Sequence, residues 1–382
     1  MGTPGNPRTL LAQLGHYLDD ATGAVSPPLH LSTTFARDRN YDLIGSYAYS
    51  RESHPSQNIL EKILAELEGG SDALVFSAGL AAMHCLLDTV PHGSHVLAPR
   101  VMYHGGQDWL RRLRSKGRIA LSLFDPTDPM AVGAGIVAGE TDLVWIETPI
   151  NPTLTVLDIA TVAEAAHSSG AVLVVDGTLA PALTTRALDH GADIVFHSVT
   201  KYLNGHSDLL GGVLITRVRD ERWTEIQTVR TLTGGILDPF SSWLALRGLR
   251  TFALRFGAAC ENALRFAQRI QGHPGVAQVY YPGLPDHPNH EIARKQMQGG
   301  FGAMVSVCVA GDAETAKRVA ARTRVFLPAT SLGGVESLIE HRRSVEGPHS
   351  VVDPTLLRLS IGIEDVNDLI ADFEQALTES GK

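Results

Sequence analysis

The stretch VLVVDGTLAPALTTRALDHGADIVFHSVTKYLNGHSDLLGGVL, residues 172–214, decides the reading of the chain. VLVVD, DIVFHS and GVLIT (the last running on to Thr216) are apolar runs of strand length. Asp176 closes the first run, and Lys201 follows the second with Ser198 and Thr200 just ahead of it. The chain has only six lysines, and this one lies between apolar strands rather than on a charged helix face. An amine in that setting loses hydration, which lowers its pKa and favours the neutral, nucleophilic form.

The hydroxyls of Ser198 and Thr200 suit a phosphate, and a carboxylate at a strand end suits a protonated ring nitrogen. Those are the needs of pyridoxal phosphate: a Schiff-base lysine, a phosphate cradle and a pyridinium partner. On residue type alone the same letters also describe a loop lysine in a surface ion pair and an N-capping aspartate.

Outward from this stretch, strand-length runs alternate with helical patterns. DALVFS precedes SAGLAAMHCLL, HVLAP precedes DWLRRLRS, and IALSLF, DLVWIE and IATVAEAAH follow. The alternation predicts a mostly parallel sheet covered on both faces. Ahead of it, residues 1–56 show no sustained period and read as an arm, too apolar and aromatic for a disordered tail. Residues 57–238 form the large domain in this reading. Residues 239–382 hold a long helix, expected to break or bend near Gly248, and a smaller C-terminal α/β domain.

Composition excludes several classes. The 382 residues are 44% hydrophobic and 19% charged, with a formal charge of −9 and a pI near 6.0. That balance repels phosphate backbones and anionic lipid, so neither nucleic acid nor membrane is an expected partner. Cys85, Cys260 and Cys308 form no CxxC pair, which argues against a disulfide scaffold or a cysteine metal site and suits a reducing cytoplasm. No basic-then-apolar leader and no run of about 18 apolar residues occurs.

Eight blocks in order carry a resemblance: YSRESHPS, LAELEGGSDALVFSAGLAA, ETPINPT, HSVTKYLNGHSDLLGGV, LDPFSSWLALRGLRT, YYPGLPDHPNH, SLGGVESLIEH and LLRLSIGIEDVNDLI. Together they resemble the Cys/Met-metabolism family of pyridoxal-phosphate enzymes, the cystathionine synthases and lyases and their relatives. The resemblance implies an α/β fold of the aspartate aminotransferase-like type I class. In that fold an arm precedes a large cofactor domain with a mostly parallel sheet and a smaller C-terminal α/β domain.

It implies roles by position. Lys201 carries the cofactor and moves protons, and Asp176 holds the pyridine nitrogen protonated. Tyr103 stacks on the ring and is a candidate acid/base. The backbone N–H groups of Gly79 and Leu80, with Ser198 and Thr200, cradle the phosphate. Tyr49 and Arg51 reach the phosphate of a neighbouring subunit. Asn151, Ser331 and Arg358 receive the substrate carboxylate.

The implied activity is γ-elimination on a sulfur amino acid such as cystathionine, giving a thiol, a 2-oxo acid and ammonia. The alternatives are γ-replacement on an O-acyl-homoserine or a methionine γ-lyase activity, the latter disfavoured by Gly105 where a reactive cysteine is usual. The implied assembly is a homo-oligomer, a dimer of dimers, in the cytoplasm.

Thr330, His54-Pro55-Ser56 and above all EHRRSVEGPHS depart from the family pattern. There Arg342 and Arg343 either enlarge the cationic field over the substrate or are solvated, and the solvated reading is the expected one. SVTK also satisfies the Ser-x-x-Lys of β-lactamases, but Ser-Asp-Asn and Lys-Thr-Gly are absent. GAGIVAG has the wrong spacing for a dinucleotide loop. His92 with His95, and His287 with His290, read as solvated loop pairs rather than metal ligands. A non-catalytic binding protein on the same fold is the rival class.

Overall fold

The computed structural model describes residues 5–347 and 350–380, the last two without their side chains. Residues 1–4 of the expected arm, and Pro348 and His349 of EHRRSVEGPHS, lie outside it. The first sheet comprises β1 (Asp72–Phe76), β2 (His95–Pro99), β3 (Ala120–Phe124), β4 (Thr141–Glu147), β5 (Val172–Asp176), β6 (Ile194–Ser198) and β7 (Gly212–Thr216). Their order across the sheet is β1-β7-β6-β5-β4-β2-β3, with only β7 antiparallel to its neighbours. Leu143 and Trp145 pack in a different apolar cluster from Val144 and Ile146, so each face of the strand is buried. That two-sided burial is why these strands read as continuous apolar runs.

The second sheet holds β8 (Val276–Tyr280), β9 (Met304–Val309), β10 (Leu327–Pro328), β11 (Leu338–His341) and β12 (Leu356–Ser360), ordered β10-β11-β12-β9-β8. The 32-residue helix Pro239–Ile270 packs against both this sheet and the helix Pro55–Glu68. Asp238 caps it, accepting the N–H groups of Phe240 and Ser241 at 2.9 and 3.0 Å.

The helix does not break at Gly248 but runs through it. A Cβ there would lie 2.5 Å from the Asn204 carbonyl oxygen, so the glycine permits close approach of the segment that follows Lys201. Two turns on, Arg255 donates to the carbonyls of Tyr202 at 3.2 Å and Gly248 at 2.8 Å, clasping that segment to the helix.

Two helices of seven or more residues escape the sequence reading. Pro7–Gln13 lies inside the expected arm and buries Leu10 and Leu11, which join the main core. Glu221–Thr233 buries Trp223, Ile226 and Val229 against the outer face of the first sheet. Much of the arm beyond it is exposed, with Val25, Leu31, Tyr41 and Ile44 each more than 60% accessible, until Ser50, His54 and Ser56 bury its end. No helix among the described residues is long and apolar enough to cross a membrane.

Candidate active site

Parallel strands present their carboxyl ends along one edge, where α/β folds place ligands. Glu147, Asp176 and Ser198 stand there, ending β4, β5 and β6. They border a cavity of about 280 Å³ that also takes in Gly79, Tyr103, Asn151, Thr200 and Lys201. Asp176 is 7% exposed and accepts the Thr178 N–H at 3.0 Å. Burial pushes its carboxyl above the ordinary range, and the Thr178 hydrogen bonds only partly offset this. No lysine or arginine pairs with it among the described residues, so a cationic ring N–H is a fitting partner.

The helix Gly79–Asp88 opens directly after β1, and its N-cap, Ala78, makes no side-chain cap. Its first N–H groups are thus uncapped and carry the positive end of the helix dipole. Gly212 on β7 makes this turn possible, since a Cβ there would sit 2.6 Å from the Ala78 carbonyl oxygen. Ser198 shares this end of the cavity. The Thr200 hydroxyl accepts the Gly211 N–H at 2.9 Å, so it also braces the loop. An uncapped helix start over a glycine seat, with hydroxyls beside it, fits a phosphate dianion.

Lys201 Nζ donates to Ser331 Oγ at 2.8 Å. Burial, reinforced by the nearby Arg358 charge, pushes the amine down to about 8. Ser331 has φ of 125°, a value that favours glycine, so its hydroxyl is held toward the lysine at the expense of backbone strain. Its carbonyl accepts from Arg358 Nη2 at 2.8 Å, while Arg358 Nη1 lies 3.4 Å from Asn151 Oδ1. Asn151, Ser331 and Arg358 are therefore joined to Lys201 in one network bridging the two sheets.

Tyr103 precedes the helix His104–Ser115 and is 41% exposed at the cavity wall. Burial raises its phenol pKa; Arg342 opposes that rise and Glu147 adds to it. Tyr49 and Arg51 lie outside the cavity. Arg51 stacks over the Tyr49 ring at 5.5 Å and donates to the Thr231 carbonyl at 3.1 Å, on the surface of the chain.

Glu147 escaped the sequence reading. Its two oxygens accept the backbone N–H groups of Tyr103 at 2.8 Å and Asn151 at 2.6 Å, so one buried carboxylate fixes two site residues. The available signal was an acidic residue closing an apolar run, the same pattern that marked Asp176. Arg342 corrects the solvated expectation, because its side chain is 1% exposed and paired with Glu340 and Glu346. Two histidines also depart from expectation: His95 is buried in β2 with its Nδ1 2.8 Å from Thr141 Oγ1, and His287 is buried as well. Among the described residues no group of three or more His, Cys, Asp or Glu side chains could hold a metal ion.

A seven-stranded α/β sheet with a half-buried lysine, a buried aspartate and an uncapped helix start around one cavity defines a pyridoxal-phosphate enzyme. The sequence model described as Cys/Met metabolism PLP-dependent enzyme matches residues 8–378, and the chain belongs to that family. It is 42% identical to the cystathionine gamma-synthase of Mycobacterium tuberculosis, over 97% of this chain and 96% of that protein. It is 40% identical to the cystathionine gamma-lyase of Dictyostelium discoideum, over 99% of each. The solved cystathionine gamma synthase of Xanthomonas oryzae pv. oryzae, in complex with cystathionine, superposes with a TM-score of 0.94 at 38% identity over 99% of each chain.

Proposed function

We propose that the enzyme labilises the γ-substituent of a sulfur-containing or homoserine-derived amino acid, with γ-elimination of cystathionine as the leading reading. The hydrogen-bonded connection from Lys201, on the cavity wall, through Ser331 to Arg358 carries this reading, because it sets a proton-moving amine beside a carboxylate anchor. Bound between Asp176 and the Gly79 turn, pyridoxal phosphate supplies the electron sink that acidifies the substrate's Cα–H.

The chain's own groups do the rest. Arg358, with Asn151 and the Ser331 segment, holds the α-carboxylate and fixes which Cα bond faces Lys201. An amine with a pKa near 8 both takes and returns protons near neutral pH, first at Cα and then at Cβ. Tyr103, at the wall of the cavity, is placed to cover the ring and to assist the departing group as an acid.

Gamma-replacement is the second reading, favoured by the 42% identity to a synthase. A product assay separates the two. Cystathionine yielding a 2-oxo acid, ammonia and a thiol marks the lyase, whereas cystathionine formed from O-acyl-homoserine plus cysteine marks the synthase. Turnover of neither set, by a cofactor-loaded protein, refutes the proposal.

The exposed apolar arm supports a homo-oligomer in which Tyr49 and Arg51 complete a neighbour's phosphate site, with a dimer of dimers as the assembly. The three free, buried cysteines suit a cytoplasmic setting.

A further inference from the structure

The arginine expected to be solvated proves to be the centre of a buried row of alternating charge. Glu340 Oε2 forms an ion pair with Arg358, 2.8 Å from its Nη2, and accepts from Arg342 Nη1 at 2.6 Å. Beyond it, Glu346 Oε1 accepts from Arg342 Nη2 at 2.7 Å and from Nε at 3.2 Å. Ser350 Oγ closes that end on Glu346 Oε2 at 2.6 Å. Arg342 Nη2 also lies 3.5 Å from His104 Nδ1, and the His104 ring stands against Tyr103 with centroids 4.9 Å apart. The row thus runs from the carboxylate anchor to the residue beside the candidate acid. At its inner end Arg358 Nε is buried and has no partner, an unspent donor on the group that must meet an anion.

We infer that Arg342 is a positioning residue for substrate binding: by neutralising Glu340 and Glu346, it leaves the positive charge of Arg358 for the substrate's α-carboxylate. The inference rests on the reading of Arg358 as the carboxylate anchor.

The charge count makes the case. Two guanidinium groups and two carboxylates sum to zero with Arg342 present, and to one net negative charge without it. In a buried row that negative charge acts at short range through a medium that screens poorly. It would stand at the place an incoming carboxylate must enter. Burial alone would make Arg342 easier to deprotonate, but its two carboxylate partners outweigh burial and keep it charged. Glu340 likewise stays below the usual carboxylate range despite burial, held there by the charge of Arg358, a hydrogen bond with Thr330, and both the hydrogen bond and the charge of Arg342. Register supports the geometry: Glu340 on β11 faces Arg358 on β12 directly, so the inner pair is set by the sheet, and Arg342 is supplied from the short helix Arg342–Glu346 that follows β11.

The test uses holoenzyme of the wild type, Arg342→Met, Glu346→Gln and the double variant. Readouts are KM for a γ-substituted amino acid, affinity for its decarboxylated amine analogue, and the dissociation constant of pyridoxal phosphate. Arg342→Met should raise KM about tenfold or more while leaving the amine analogue and the cofactor within about twofold. Glu346→Gln should move KM the other way, and the double variant should recover most of the loss.

An unchanged KM in Arg342→Met, an equal loss for the amine analogue, or a double variant no better than the single one overturns the inference. If Arg342→Met does not fold, Glu346→Gln decides alone, and a KM that rises or stays put overturns it. If the wild type turns over no γ-substituted amino acid, the proposed function fails by itself. The inference is then read by titrating the visible cofactor band of the same proteins with any α-amino acid that the wild type binds.

Discussion

Glu147 and Asp176 face one another across the pairing of β4 and β5, at the same register step and at the carboxyl ends of both strands. Both are buried carboxyls without a lysine or arginine partner among the described residues, and burial raises both. The charge of Asp176 raises Glu147 further, while the N–H groups of Tyr103 and Asn151 pull it down.

The cofactor-free protein should therefore lose stability as pH rises. Above about pH 4 an unfolded chain has released these protons while the folded one still holds them. The loss continues until pH passes the raised values and then levels off. Glu147→Gln removes one of the two sites, so its melting temperature relative to wild type should climb with pH. A pH-independent difference between the two melting curves would refute the coupling. The same variant should lower kcat, because an amide oxygen replaces only one of two acceptors and Tyr103 or Asn151 loses its tether.

Lys201 carries the second prediction. With the amine pushed down from 10.5 to about 8, capture of pyridoxal phosphate by the cofactor-free protein should accelerate through pH 8. A midpoint near that of an ordinary lysine would mean that burial does not act as described. Lys201→Ala should abolish the visible band of the lysine-bound cofactor and lower turnover by several orders of magnitude.

What sequence revealed and what it hid follow one physical division. Asp176 and Lys201 were legible because a parallel sheet leaves its carboxyl edge open, so a polar residue ending an apolar run has somewhere to act. Gly79 was legible as a turn between strand and helix. Glu147 sits at an equivalent strand end, yet its role lies in backbone donors 44 residues before it and 4 after it, and no local pattern announces such partners. Arg342 looked solvated because adjacent arginines usually are, and its partner Glu340 is buried only once β11 pairs with β12. The helix Pro7–Gln13 is too short for a periodic signal, and it is buried through its contacts with Pro239–Ile270 and Pro55–Glu68.

Ser331 offers a cleaner separation of strain from chemistry. At its φ of 125° a glycine relaxes the backbone while an alanine keeps the strain, and both lose the hydroxyl that meets Lys201. Ser331→Gly should be more stable than Ser331→Ala by about 1 kcal/mol or more. Equal denaturation midpoints would show that the backbone stores no strain there. Both variants should impair turnover alike if the hydroxyl alone matters.

The surface position of Tyr49 and Arg51 leads to a mixing experiment. Arg51→Ala should weaken cofactor binding, and Lys201→Ala should be inactive. If Arg51 serves a neighbouring subunit, an exchanged mixture of the two should regain activity. One site in a mixed dimer then combines an intact Lys201 with an intact Arg51 from the partner. A mixture no more active than its components, after subunit exchange is verified, removes Arg51 from the site.

The close approach of Gly248 to Asn204 has a consequence for change in this chain over time. The amine of Lys201 hangs on a segment clasped by a helix that packs on the second sheet and on the helix Pro55–Glu68, and the clearance at the clasp is less than one methyl group. Drift in the outer loops leaves that clearance untouched, whereas an alanine at 248 would lever the lysine away from its hydroxyl partner. A position with no side chain and no part in the chemistry thus marks the boundary between tolerated and forbidden substitution. Laboratory evolution toward new leaving groups should accumulate changes around Thr330 and His104 long before it touches the middle of that helix.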